Sequence, residues 1–173
     1  MIILIGASAT GKTEVGKLLN SKYNLKKVVT YTTREKRNGE IDGIDYHFIS
    51  KEEFLSLKEK EFFFEWTKYS DNYYGTSRES LKDDTYIILE FNGLRNYKNS
   101  DLSTSAFYFT CSKEIRLKRM LQRGDSLENA LKRIDVDDDA FTDEIKELVD
   151  YVIDVSFNSL DDVAKIVYDL YKK

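Results

Sequence analysis

Proline is absent from this 173-residue sequence, cysteine and histidine occur once each, and no apolar run approaches the ~20 residues a membrane span needs. The missing proline carries no functional signal. A lone cysteine, Cys111, excludes an internal disulfide and suits a reducing cytoplasm. It follows the apolar run Ala106-Phe107-Tyr108-Phe109, which marks a buried structural thiol rather than a nucleophile. His47 lies between Tyr46 and Phe48 in an alternating run and reads as a strand residue, since no second histidine or cysteine offers a metal partner. The N-terminal strand lacks the basic start of a signal peptide. An excess of basic charge is also missing. With a net charge of −4 and a pI of about 5.2, nothing draws the chain as a whole to nucleic acid, so basic residues that matter must act as local clusters. The length fits one domain, or one core with small insertions.

What is present begins at the N-terminus. Gly6-Ala7-Ser8-Ala9-Thr10-Gly11-Lys12-Thr13 fits the phosphate-loop pattern G-x-x-x-x-G-K-[ST] at every fixed position. The apolar run Met1 to Ile5 precedes it as a buried parallel strand would, and Thr13 to Tyr23 follows with Val15, Leu18 and Leu19 at helical spacing. In such a loop, glycines let successive N–H groups turn toward phosphate, and the helix N-terminus adds partial positive charge. Lys12 would bridge the β- and γ-phosphates of ATP, and the Thr13 hydroxyl would ligate Mg²⁺.

Strand-like apolar runs recur at Ile2 to Ile5, Lys27 to Tyr31, Tyr86 to Phe91, Ala106 to Thr110 and Tyr151 to Val155. Helical patterns at Thr13 to Tyr23, Lys113 to Gln122, Glu128 to Arg133 and Leu160 to Tyr171 separate several of them. This alternation predicts an α/β fold in which helices flank a parallel sheet. Residues 32–84 break the rhythm with alternating aromatic segments, glycine turns and one helix near Lys51 to Lys58, and read as a small antiparallel insertion. Residues 119–139 are charged and poor in large apolar groups, as a mobile helical lid would be. The expected division is a core of 1–31, 85–118 and 140–173, an insertion of 32–84 and a lid of 119–139.

About twenty residues beyond the phosphate loop, TTREKRNGEIDGIDYHF carries Arg34, Arg37 and Tyr46, with Tyr74 further on. Arginine forks bind phosphate oxygens in pairs and tyrosine hydroxyls complete such a shell. Taken alone, the two arginines fit a solvated loop beside Glu35 and Glu40 equally well. The whole run, followed by Glu52-Glu53-Phe54, Phe62-Phe63-Phe64-Glu65-Trp66 and Asn72-Tyr73-Tyr74-Gly75-Thr76, resembles the nucleotide-binding insertion of guanylate kinases. The similarity extends over nearly the whole chain and keeps four motifs in order and spacing.

That resemblance implies a Mg²⁺-dependent ATP:GMP phosphotransferase, cytoplasmic, a monomer or weak homodimer, with no nucleic-acid or membrane partner. It implies that Thr30, Arg34, Arg37, Tyr46 and Tyr74 hold the GMP phosphate, while Glu65 and Thr76 read the guanine. Arg119, Arg123 and Arg133 match the family's lid arginines, which would surround the transferring phosphoryl group together with Lys12. The chemistry of Glu65 supports its role independently. An ionised carboxylate only accepts hydrogen bonds, and guanine offers N1–H and N2–H₂ side by side, whereas adenine leaves such an acceptor unpaired.

The chain departs from the family pattern at several positions. Ala7 and Ala9 replace a proline and a glycine of the phosphate loop, and Tyr31 and Lys36 replace a small residue and a proline. The family's D-x-D-x-Q-G segment is shortened to Glu90-Phe91-Asn92-Gly93. Glu90 can still hold a water on Mg²⁺. Asn92 replaces a carboxylate that in the family helps read the base or orient the metal, which leaves room for dGMP or another small phosphorylated acceptor. A non-catalytic protein-binding module of the same fold is the third reading, and the intact Lys12, Thr13 and lid arginines oppose it.

Overall fold

The computed structural model describes residues 1–173 except Ser70, Glu90, Asp143 and Phe157, and except the side chains of Phe91 and Asn92. In chain order the elements are β1 (Ile2–Gly6), α1 (Lys12–Tyr23), β2 (Lys26–Lys27), β3 (Tyr31–Thr32), β4 (His47–Phe48), α2 (Lys51–Glu59), β5 (Phe63–Tyr69) and β6 (Asn72–Ser77). They continue with β7 (Thr85–Leu89), α3 (Phe91–Lys98), β8 (Ser105–Thr110), α4 (Lys113–Gln122), α5 (Leu127–Ala140), α6 (Ile145–Leu148), β9 (Tyr151–Asp154) and α7 (Leu160–Tyr171).

A parallel sheet in the order β2-β7-β1-β8-β9 forms the core. Strand β1 is buried on both faces, and its period-two alternation feeds two apolar layers. Ile2 and Leu4 pack with Val15 and Leu19 of α1 and Val163 and Val167 of α7. Ile3 and Ile5 face the other way, onto Leu94 and Tyr97 of α3 and Ile145 of α6. Helix α1 comes so close to the sheet that a Cβ on Gly16 would lie 2.4 Å from the Tyr86 ring.

The second sheet, β4-β3-β6-β5, is antiparallel except for the β3–β4 pair. Helix α2 is capped by Ser50, whose hydroxyl accepts from the Glu53 N–H. It buries Phe54 against the rings of Phe63, at 4.4 Å, and Tyr73, at 5.3 Å.

Two expectations about strands need correction. The run Lys27 to Tyr31 is not one strand: Lys26–Lys27 pair with β7, and Tyr31–Thr32 join the other sheet. Buried Val28 and Thr30 carry the chain from one sheet to the next, so a continuous apolar pattern serves both. The run Tyr86 to Phe91 ends as a strand at Leu89, and α3, which the sequence did not announce, begins at Phe91. The lid also buries more than its composition suggests. Ala130 and Ile134 of α5 pack with Met120 of α4 and against Ala9 of the phosphate loop.

Candidate active site

The loop between β1 and α1 is shaped by backbone conformations that most residues avoid. Gly11 has φ of 94°, and a Cβ there would sit 3.1 Å from Leu160. Ala9 adopts φ of 62°, the left-handed conformation for which the glycine it replaces is suited. Its methyl is held by the Met120–Ile134 cluster, which offsets part of that strain. Thr10 is buried and its hydroxyl donates to the Ala7 carbonyl at 2.8 Å, closing the turn. The Lys12 ammonium donates to the carbonyls of Gly6, at 2.6 Å, and Ala7, at 2.9 Å, which fixes its charge over the loop. Thr13 stands exposed in the first turn of α1, with its hydroxyl beside the same cleft.

That cleft, about 320 Å³ and open to solvent, is lined on one side by Gly6, Ser8, Lys12 and Thr13. Arg34, Arg37, Tyr46 and Tyr74 line the opposite side, and Arg123 and Arg133 come from the lid. The second sheet therefore brings the arginine–tyrosine cluster to face the phosphate loop across one cavity. Arg34 bonds Glu40 at 2.7 Å and lies over the Tyr46 ring, 5.4 Å from its centre. Burial is the largest single influence and works against its charge, but the Glu40 bond and charge, with Tyr74 and Tyr46, together hold the pKa above its ordinary value. Arg37 is shifted the other way: desolvation first, then the like charges of Arg34 and Arg133, push its pKa down. Crowded cations of this kind are relieved by an incoming anion.

The lid arginines reach the loop unequally. Arg119 donates to the carbonyls of Ala9, at 3.2 Å, and Val155, at 3.1 Å, so α4 is tied to the core. Arg133 donates to the Ser8 hydroxyl at 3.2 Å. Arg123 is exposed and pairs with Asp125 at 2.5 Å.

A much smaller hollow of about 20 Å³ adjoins the cleft and shares Tyr46, Tyr74 and Ile88 with it. Thr30, Glu65 and Gly93 line it as well. Glu65 of β5 is only 6% exposed, and the fully buried Thr76 hydroxyl donates to its Oε1 at 2.6 Å. Burial pushes the Glu65 carboxyl up to about 7, against the opposing Thr76 bond. Gly93 keeps α3 close, since a Cβ there would lie 3.3 Å from the Glu65 Oε2. Behind this pair the Tyr97 hydroxyl is buried with no hydrogen bond among the described residues. Burial and the Glu65 charge raise its pKa, against the opposing influence of the nearby Thr76 hydroxyl, which is itself committed to Glu65.

Thus Lys12, Thr13, Arg34, Arg37, Tyr46, Tyr74, Arg123 and Arg133 share one cleft. Thr30 and Glu65 line the smaller hollow beside it with Thr76 bonded to Glu65, and Arg119 is not among the lining residues of either. Glu90 and the Asn92 side chain, expected at the metal and the base, lie outside the described residues. Sequence reasoning missed Arg116 of α4 and Asp137 of α5, which are buried and bonded to each other at 3.3 Å. Their i−3 spacing to Arg119 and i+4 spacing to Arg133 was the available signal. Cys111 is half-buried, and burial raises its thiol pKa against the nearby arginines, which is unsuited to a nucleophile.

A family model described as guanylate kinase matches residues 1–173. The guanylate kinase of Onion yellows phytoplasma is 32% identical, over 96% of this chain and 84% of its own length. That of Wolinella succinogenes is 38% identical over 72% of this chain, and the match spans 62% of that relative's length. Among solved structures, guanylate kinase from Anaplasma phagocytophilum superposes with a TM-score of 0.72 at 26% identity, covering 99% of this chain and 84% of the other. A gluconokinase from Sinorhizobium meliloti shares the fold at a TM-score of 0.55 and 13% identity, over 99% and 90% of the two chains.

Proposed function

Because the chain belongs to the guanylate kinase family, we propose that it transfers the γ-phosphoryl group of ATP to GMP, giving ADP and GDP. The observation that carries this reading is the single cleft with a phosphate loop on one wall and Arg34, Arg37, Tyr46 and Tyr74 on the other. Two phosphate sites facing each other allow direct transfer between bound molecules, where positioning and charge supply most of the catalysis.

In this reading the loop of Gly6 to Thr13 holds the ATP phosphates, and Lys12 turns from its carbonyl partners onto them. Arg34, Arg37, Tyr46, Tyr74 and Thr30 hold the GMP phosphate as nucleophile. Glu65, ionised, accepts from guanine N1–H and N2–H₂, while Thr76 keeps the carboxylate oriented and Asn92 completes the base pocket. Arg119, Arg123 and Arg133 neutralise charge that spreads over the equatorial oxygens in the transition state. The exposed Thr13 hydroxyl beside the loop suits a hard, oxygen-seeking cation. Thr13, with Glu90 through a water, would hold Mg²⁺, which neutralises phosphate charge when bound. Among the described residues no helix is long and apolar enough to cross a membrane. We propose a cytoplasmic enzyme acting on small nucleotides, as a monomer or weak homodimer.

The test is a coupled ADP-release assay with Mg-ATP against GMP, dGMP, AMP, UMP and CMP. GMP should give the highest kcat/KM, and AMP should be rejected by several orders of magnitude because it leaves Glu65 unpaired. Equal turnover of GMP and AMP would contradict the assignment of Glu65.

A further inference from the structure

Helix α5 turns an acid toward the phosphate loop. Asp137, 3% exposed, accepts the Ser8 N–H on its Oδ2 at 2.8 Å and lines the large cleft beside Gly6, Lys12 and Thr13. Arg116 lies 3.3 Å from the same oxygen, and its other amine bonds Asp138 at 2.8 Å. Asp138 is balanced at the surface by Lys113. The set is neutral overall, but the part that faces the loop is the Asp137 carboxylate.

Ser8 is the third residue of the phosphate loop, whose N–H groups bind anions because they point inward together. Here one of them is given to a lid carboxylate. A single N–H satisfies one charged acceptor well, and two anions sharing it repel strongly at the low dielectric of a closed site. Building on the donor-site reading above, we propose that the Asp137 carboxylate is the resident anion of the phosphate loop, which donor phosphate displaces from Ser8. Asp137 thereby sets donor affinity. It also links nucleotide entry to the lid, because α5 carries both this latch and Arg133, which donates to the Ser8 hydroxyl.

A purely structural pair would be replaceable by apolar groups without changing phosphate affinity, or would weaken every ligand when broken. A latch gives the opposite sign. Asp137→Asn keeps the shape and removes the charge. The double variant Arg116→Leu/Asp137→Ala removes both charges and leaves no unpaired buried arginine. Calorimetric titration of both variants and of wild type, with ATP, inorganic tripolyphosphate and GMP, is the experiment. ATP and tripolyphosphate should bind about tenfold tighter to the folded variants, with GMP unchanged. Equal or weaker binding of ATP and tripolyphosphate in both variants would overturn the latch while leaving the donor site standing. Failure of ATP to bind folded wild type would overturn the donor-site reading and the latch with it.

Discussion

Burial raises the Glu65 carboxyl to about 7, so near neutrality the free protein holds much of it protonated. Guanine needs the ionised acceptor. GMP affinity should therefore fall about tenfold per pH unit below ~7 and level off above it, which a pH series of GMP titrations would show. Stability runs the other way. Between the unfolded carboxyl pKa of ~4.3 and the folded value of about 7, the unfolded chain releases a proton that the folded protein keeps, so stability falls as pH rises through that window. Glu65→Gln removes this loss and should stabilise the free protein at pH 8, by urea unfolding, on the order of 3 kcal/mol. The same variant turns an amide donor toward guanine's donors and should weaken GMP on the order of tenfold or more, with ATP unaffected. Equal loss for both nucleotides would place Glu65 outside the base pocket. Lys12→Ala should abolish transfer and leave the fold intact by circular dichroism, since its charge matters most in the transition state. Lys12 is named by the spacing of the phosphate loop, and Arg34 and Glu65 by the resemblance to guanylate kinases, in each case without knowledge of the fold. Asp137 is not. It sits in the acidic run Asp135 to Asp139, and only the phase of α5 selects which acid turns inward.

Helix boundaries followed local chemistry where caps and periodicity agreed. Lys113–Gln122 and Leu160–Tyr171 start after Ser112 and Ser159, whose hydroxyls accept from Ile115 and Asp162, and both match the residues read from the pattern. Helix α5 extends seven residues beyond Arg133, to Ala140, because its buried face includes Asp137, a residue no apolar count registers. Helix α3 was missed because Asn92 and Gly93 look like a turn and its apolar positions, Phe91, Leu94 and Tyr97, fall in a stretch of only eight residues. Tyr97 is also where α3 carries an energetic burden, a buried hydroxyl with no bond among the described residues, set against the Phe64 ring at 5.0 Å. Tyr97→Phe keeps the ring contacts and should raise stability by about 1 kcal/mol, read as a higher Tm. A lower Tm would mean that the hydroxyl has a partner worth more than its desolvation.

Parallel-sheet core and antiparallel insertion were both readable as changes of hydrophobic period along the chain. What was not readable is how they meet, because the strand run of Lys27 to Tyr31 divides between the two sheets. That division brings Arg34 to the cleft that Lys12 lines and Thr30 to the smaller cavity beside it. The lid is likewise more committed to the core than its charge suggested, through the Arg119 bonds to Ala9 and Val155 and the packing of Met120 and Ile134. Closure is then expected mainly in residues 32–84 and around Arg123, whose cations would repel one another until two phosphates enter. A bisubstrate mimic joining adenosine to guanosine through phosphates should bind more tightly than either nucleotide and slow hydrogen exchange in both segments. Unchanged exchange at saturation would exclude closure. Central to all of this is direct transfer between two nucleotides in one cleft, and product stoichiometry with γ-labelled ATP measures it most directly. The account predicts that, with GMP present, label appears in GDP in a 1:1 ratio with ADP and almost none as free phosphate. Label released mainly as free phosphate, or absent from GDP, would contradict it.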